Sequence, residues 1–284
     1  MDVIRYGSID EYLAGAGPFL EALEAEHNLI FGIASNVQAD PAQFGTPYLA
    51  AVVDGGRVVG AVMRTPPWRI ILSCFDGDAA AVADAFAADL ADVPLPGMVG
   101  PTDSTDAFAA AWTARTGATA TLTRHERSFR LRHVIPPRAA PGHMVRASQE
   151  HRRVLAEWSQ AFEEEAHTAP PGPTDHDATA DRWIRGVGRT AWLWVDEGRP
   201  VSLTGVGGLT PHGIRVGPVY TPPELRGRGY ASNLVAEASQ LHLDGGREFV
   251  FLFTDLANPT ANKIYQSIGY EPVIDIDEYA FEPA

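Results

Sequence analysis

Apolar residues in this chain fall into short runs and longer stripes. Runs at 48–53, 60–63 and 70–75, and again at 191–195, 201–209, 214–220 and 248–254, predict strands. The run at 248–254 is apolar almost throughout, which predicts a strand buried on both faces. Helical spacing holds over 149–166, where Val154, Leu155, Trp158 and Phe162 make one stripe, and helices are also predicted over 106–116, 178–187, 231–243 and 259–268. With a short strand at 143–147 and a last strand or strands over 272–281, the second half reads β-α-α-β-β-β-α-β-α-β.

The pattern repeats. Val53-Asp54-Gly55-Gly56-Arg57-Val58-Val59 and Val195-Asp196-Glu197-Gly198-Arg199-Pro200-Val201 share the frame V-D-x-G-R-x-V, each between two apolar runs, as a β-hairpin requires. Gly117 and Gly269 each end a helical run as a C-cap glycine would, and each precedes a Glu and a Phe at matching offsets: Glu126 and Phe129, then Glu278 and Phe281. Two echoes in one order predict an α/β (α+β) chain of two related domains in tandem. The Pro- and Ala-rich stretch Ile135-Pro136-Pro137-Arg138-Ala139-Ala140-Pro141-Gly142 has no periodicity. The expected division is 1–135, a linker at 136–141, and 142–284.

Composition narrows the function. With 284 residues, 45% hydrophobic and 20% charged, the chain reads as an ordinary globular protein. Its net charge of −14 opposes nucleic-acid binding, and no run approaches the length of a membrane span. Without a signal-like N-terminus, a cytoplasmic location is expected. The lone Cys74 excludes an internal disulfide and reads either as a nucleophile or as a small buried apolar residue.

The strongest chemical signal is the segment Pro218-Val219-Tyr220-Thr221-Pro222-Pro223-Glu224-Leu225-Arg226-Gly227-Arg228-Gly229-Tyr230-Ala231. It passes from a strand through a glycine loop into a helix. There the first backbone N–H groups lack partners and carry the positive dipole end, so they suit a pyrophosphate. A solvated Arg pair on a glycine loop is the plain alternative. The pattern Arg226-Gly227-Arg228-Gly229-Tyr230-Ala231 resembles R/Q-x-x-G-x-G/A, the coenzyme A loop of the GNAT superfamily of N-acyltransferases. Downstream, 254–270 resembles that family's later motif: strand end, Asn258, a short helix bearing Tyr265, then Gly269-Tyr270.

The resemblance covers the second half and implies two GNAT-like domains, each a mixed, mostly antiparallel sheet flanked by helices. It implies that Arg226, Gly227, Arg228, Gly229, Tyr230 and Ala231 give N–H groups to the CoA pyrophosphate. Pro218, Val219 and Tyr220 would lie along the pantetheine arm, in the gap where two central strands splay apart. Asn258 would contact that arm or order its loop, or act as a plain N-cap. Tyr265 would protonate the departing CoA thiolate, its alternative being an aromatic packed inward. The implied reaction is direct attack of a small-molecule primary amine on acetyl-CoA through a tetrahedral intermediate, with acetyl-CoA as co-substrate and no metal. Candidate bases are Glu163, Glu164, Glu165, His167 and Asp175. His176 and Asp177 match no metal spacing. In the first half, Asp76-Gly77-Asp78-Ala79-Ala80 stands where the loop should be, and its two carboxylates would repel a pyrophosphate. A peptide or protein N-acyltransferase and a non-catalytic acyl-CoA-binding module remain as rivals, and a monomer and a homodimer are both open.

Overall fold

Both copies of the V-D-x-G-R frame form hairpin turns. A computed structural model describes residues 1–166 and 172–283. In it β2 (Tyr48–Asp54) pairs with β3 (Arg57–Arg64), and β8 (Arg189–Asp196) with β9 (Arg199–Gly207), both antiparallel. The closing pairs are Asp54↔Arg57 and Asp196↔Arg199, and each ladder shifts register just before its turn, between Val52 and Val53 and between Trp194 and Val195. The central turn residues have positive φ: Gly55 (55°) and Gly56 (80°), Glu197 (48°) and Gly198 (74°). This is the turn whose twist matches paired strands.

The chain divides into two compact units. The first comprises Met1–Ser128, Asp255–Ala257 and Val273–Ala284. Its strands run in the order β1 (Asp2–Arg5), β2, β3, β4 (Ile70–Leu72), β5 (Gly97–Pro101), β12 (Glu271–Glu282), β6 (Thr119–Leu131). Strands β4 and β5 are parallel. Helices α1 (Ile9–Glu21) and α2 (Asn28–Ala39) cover one face, where Leu49, Ala51, Ala61 and Met63 meet Tyr12, Leu20, Ile30 and Phe31. Helices α3 (Ala79–Asp89) and α4 (Thr102–Thr116) cover the other, where Ala50, Val52 and Val62 meet Phe86, Phe108 and Trp112. Alternate residues of β2 thus enter two different cores, which is why its sequence is apolar without alternation.

The second unit comprises Phe129–Thr254 and Asn258–Pro272. Its strand order is β6, β11 (Phe249–Asp255), β10 (Gly213–Tyr220), β9, β8, β7 (His143–Arg146). Helices α5 (Arg152–Ala166) and α6 (His176–Arg185) pack Leu155, Ala180 and Trp183 onto Ala191, Leu193 and Leu203. On the opposite face α7 (Tyr230–Asp244) supplies Val235 and Ala238 and the stretch after α8 (Pro259–Ser267) supplies Ile268 and Tyr270. These meet Val206, Ile214, Val216, Val250 and Leu252.

These units differ from the expected 1–135 and 142–284. The division in the first half falls at Ser128/Phe129, and the segment foreseen as a linker is fixed within the second unit. Trp194 Nε1 donates to Pro141 O (2.8 Å), Asn233 Nδ2 donates to Arg138 O (3.0 Å), and Ala140 packs beside Trp194 and Tyr230. The chain's last strand belongs to the first unit. Ile276–Ala280 pair with Gly97–Pro101, Phe281 stacks on Trp112 (5.8 Å), and Arg127 forks Asp275. Among the described residues no helix is long and apolar enough to cross a membrane.

Candidate active site

In the second unit, β10 and β11 run parallel over three pairs only, Gly213↔Phe249 to Arg215↔Phe251, although both strands continue. β10 is bulged against β9 between Val216 and Val219. A bulge bends its strand, and here it carries Gly217 to Tyr220 off the line of the parallel ladder. The bent end is held from the β9 side: Thr204 Oγ1 donates to Pro218 O (3.2 Å) and Ser202 Oγ to Tyr220 O (3.1 Å). Val219 and Tyr265 pack on one apolar cluster with Val216 and Leu252. Of the pantetheine candidates, Val219 thus borders the same apolar cluster as Tyr265, whereas Tyr220 packs beside Trp158 (6.0 Å).

Past β10 the chain enters the glycine loop. Gly227 (φ 76°) and Gly229 (φ 82°) both sit in the left-handed region, and Gly229 is the N-cap of α7. An N-cap without a side chain leaves the first N–H groups of α7 with no side-chain acceptor, so they face outward with the dipole's positive end. The two arginines are engaged within the loop's surroundings. Arg226 donates to Thr221 O (2.8 Å) and to Glu165 (2.6 Å), with its guanidinium 6.0 Å from the centre of the Tyr220 ring. Arg228 donates to Glu224 O (3.2 Å). Tyr230 points inward and is buried with Trp194, Val201 and Leu234, donating its hydroxyl to Asp196 (2.7 Å). Anion contact at Tyr230 is thus open to its backbone N–H alone. Ala231 follows it, half-buried, in the first turn.

Asn258 is the N-cap of α8; its Oδ1 accepts from Ala261 N (3.0 Å). Tyr265 is half-buried and edge-on to Tyr270 (6.0 Å), and its hydroxyl has no hydrogen-bond partner among the described residues. Desolvation pushes that hydroxyl up to about 12, so it keeps its proton at neutral pH. Tyr270 by contrast shares its hydroxyl with Ser239 Oγ (2.9 Å).

The candidate bases separate by their partners. Glu165 is taken by Arg226, Glu164 accepts from Gln160 (2.9 Å), and Asp175 caps α6 by accepting from Ala178 N (2.9 Å). Glu163 accepts from Thr174 Oγ1 (3.0 Å) and lies 3.8 Å from His176 Nε2, while His176 Nδ1 meets Ser159 Oγ (3.0 Å). His167 lies outside the described residues. In the first unit, the Cys74 N–H donates to His27 Nε2 (3.0 Å), and burial pushes the Cys74 thiol up to about 11, against a nucleophilic role.

Residues 153–270 match the model of the Acetyltransferase (GNAT) family. The chain carries a GNAT acetyltransferase domain. The chain is an acyltransferase. Solved structures extend the likeness to the whole chain. A GNAT-family acetyltransferase from Colwellia psychrerythraea is 11% identical, with 99% of this chain and 100% of that one covered and a TM-score of 0.60. A Drosophila protein is 13% identical over 99% and 98%, with a TM-score of 0.66. A tandem GNAT protein of the clavulanic acid biosynthesis pathway is 16% identical over 99% and 98%, with a TM-score of 0.60. At these identities the likeness establishes the tandem fold. The search of curated proteins finds no significant match.

Set beside the GNAT domain, the first unit differs at the corresponding helix start. There Asp78 is the N-cap of α3 and its carboxylate accepts from Ala81 N (3.1 Å). The place left open at Gly229 is filled by a side chain of the chain's own. Sequence reading missed His176 as the partner of Glu163, which an i/i+13 separation across a Pro-rich loop does not advertise. It also missed a row of two arginines on the sheet, visible only once the strands are in register.

Proposed function

We propose that the second unit binds acetyl-CoA and transfers its acetyl group to the primary amine of a small molecule. The observation that carries this is the helix start at Gly229, open to an anion, at the end of a strand that parts from its parallel neighbour, with the partnerless Tyr265 hydroxyl packed on that strand's cluster. Backbone N–H groups from Gly227 to Ala231 would hold the pyrophosphate, and Arg226 and Arg228 would shape the loop through Thr221, Glu165 and Glu224. Pro218, Val219 and Tyr220 would run beside the pantetheine arm. When bound, the donor supplies a thioester carbonyl open to attack by a neutral amine. The amine gives up one proton and the sulfur takes one. Tyr265 is suited to the second task because it is protonated and has no competing acceptor among the described residues. Asn258, already a cap through Oδ1, would order the start of α8 beside the arm.

Free thiol released from acetyl-CoA over a panel of small amines and peptides tests this reading. Thiol release with small amines is expected. Release with peptides only would make the protein a peptide acyltransferase, and CoA binding without release from any amine would make it a binding module.

A further inference from the structure

On the face of the second unit's sheet covered by α5 and α6, Arg189 of β8 and Arg215 of β10 are both register partners of Gly207, one on each side of β9. Residues directly opposite one another share a face, so the row reads Arg189, Gly207, Arg215, with Phe251 beyond. The row's middle position has no side chain. A Cβ on the next same-face glycine of β9, Gly205, would meet Arg189 Cδ at 2.5 Å and Gly217 O at 2.9 Å. The Arg189 side chain therefore lies across Gly205 of β9, on the β8 side of the β10 bulge.

That guanidinium lies over the Trp183 ring (5.7 Å) and has no hydrogen bond or ion pair among the described residues. Its Nε is fully enclosed without a partner. Burial and the nearby Arg215 lower its pKa to about 9. The chain has 36 acidic residues against 22 basic ones, yet no acid among the described residues pairs with Arg189. A half-buried Arg189 guanidinium beside a second one, with no acid paired to Arg189 among the described residues, is costly, and its fork fits a carboxylate.

We propose that Arg189, with Arg215 beside it, binds a carboxylate carried by the acceptor, so that the substrate class is an amine bearing an acid group, as in an amino acid. This rests on the transferase reading above for the amine's fate, but the carboxylate site itself does not. The acceptor is favoured over a dicarboxylic acyl donor as the source because Arg189 stands on β8, two strands from the opening between β10 and β11.

Two measurements test it together. Thiol release is compared for amino acids and their amides, and binding of the same amino acids and amides is measured by calorimetry, on the wild type, Arg189→Gln and Arg189→Lys. The wild type should prefer the acid over the amide by about 10–100-fold in kcat/KM and in affinity, the size of a lost charge-assisted contact. Arg189→Gln should bring that ratio toward one. Arg189→Lys, which keeps the charge but not the fork, should fall between, and it carries the test if the Gln variant does not fold. A purely structural role would lower acid and amide alike and leave the ratio intact, which overturns the proposal. So does equal use of acid and amide by the wild type, or an Arg189-dependent preference for succinyl-CoA over acetyl-CoA with no acceptor preference. Binding selective for the acid and lost in Arg189→Gln, without thiol release from any amine, would keep the site and reject the transferase reading.

Discussion

Tyr265 carries the sharpest single-residue prediction. Tyr265→Phe removes one hydroxyl that has no partner among the described residues, so the fold around Tyr270 should persist. Turnover should fall by about 10²–10⁴-fold, the usual worth of general acid–base catalysis, with CoA affinity little changed. The folded-state pKa is raised from 10 to about 12, so the neutral hydroxyl's contribution to stability is complete below pH 10 and is lost as pH rises through 12. The urea midpoint of the wild type should therefore decline between those values more steeply than that of Tyr265→Phe. Tyr265 was legible as a candidate from its motif, but its isolation from other polar groups was not. The opposite holds for Arg226. The plain alternative for its side chain was a solvated charge, whereas Glu165, sixty-one residues earlier, holds that charge in an ion pair. A side chain's partner across such a distance leaves no trace in local pattern.

At the level of elements, the hairpin repeat was readable because turn chemistry is local. Two adjacent residues at positive φ need Gly or a residue that tolerates strain. The first hairpin uses Gly55-Gly56 and the second uses Glu197-Gly198, which leaves Glu197 in the left-handed region at φ 48°. Glu197→Gly should therefore raise stability by about 1 kcal/mol, or roughly 2–4 °C in melting temperature for a unit of this size. Chemical denaturation checks this; an unchanged or lower midpoint would mean that Glu197 is held by something other than the turn. The row of Arg189, Gly207 and Arg215 lay beyond sequence reading because two strand registers must be known before these residues share a face.

Across the whole chain, the repeat and the C-cap glycines foretold two related domains, and the matching tandem structures have that fold. What sequence pattern misses is which unit a strand joins. β12 follows α8 of the second unit in sequence, yet Val273–Ala284 belongs to the first unit. Its alternation says only that it is a strand, since pairing with β5 is non-local. Ending the chain at Pro272 should accordingly uncover Trp112, Phe108 and the edge of β5. Hydrogen exchange should rise over Gly97–Pro101 and 119–128 first, while β8, β9 and β10 keep their protection. The reverse order would contradict the division.

On the proposed reading, the asymmetry between the two helix starts, Asp78 on α3 and Gly229 on α7, leaves one unit alone as the donor site. Calorimetric titration of the full chain with CoA tests this most directly. One site per chain is predicted for the wild type and none for Gly229→Glu, which sets a carboxylate at the mouth of α7 and strains a backbone at φ 82°. Two sites per chain, or binding that survives Gly229→Glu, would contradict the account.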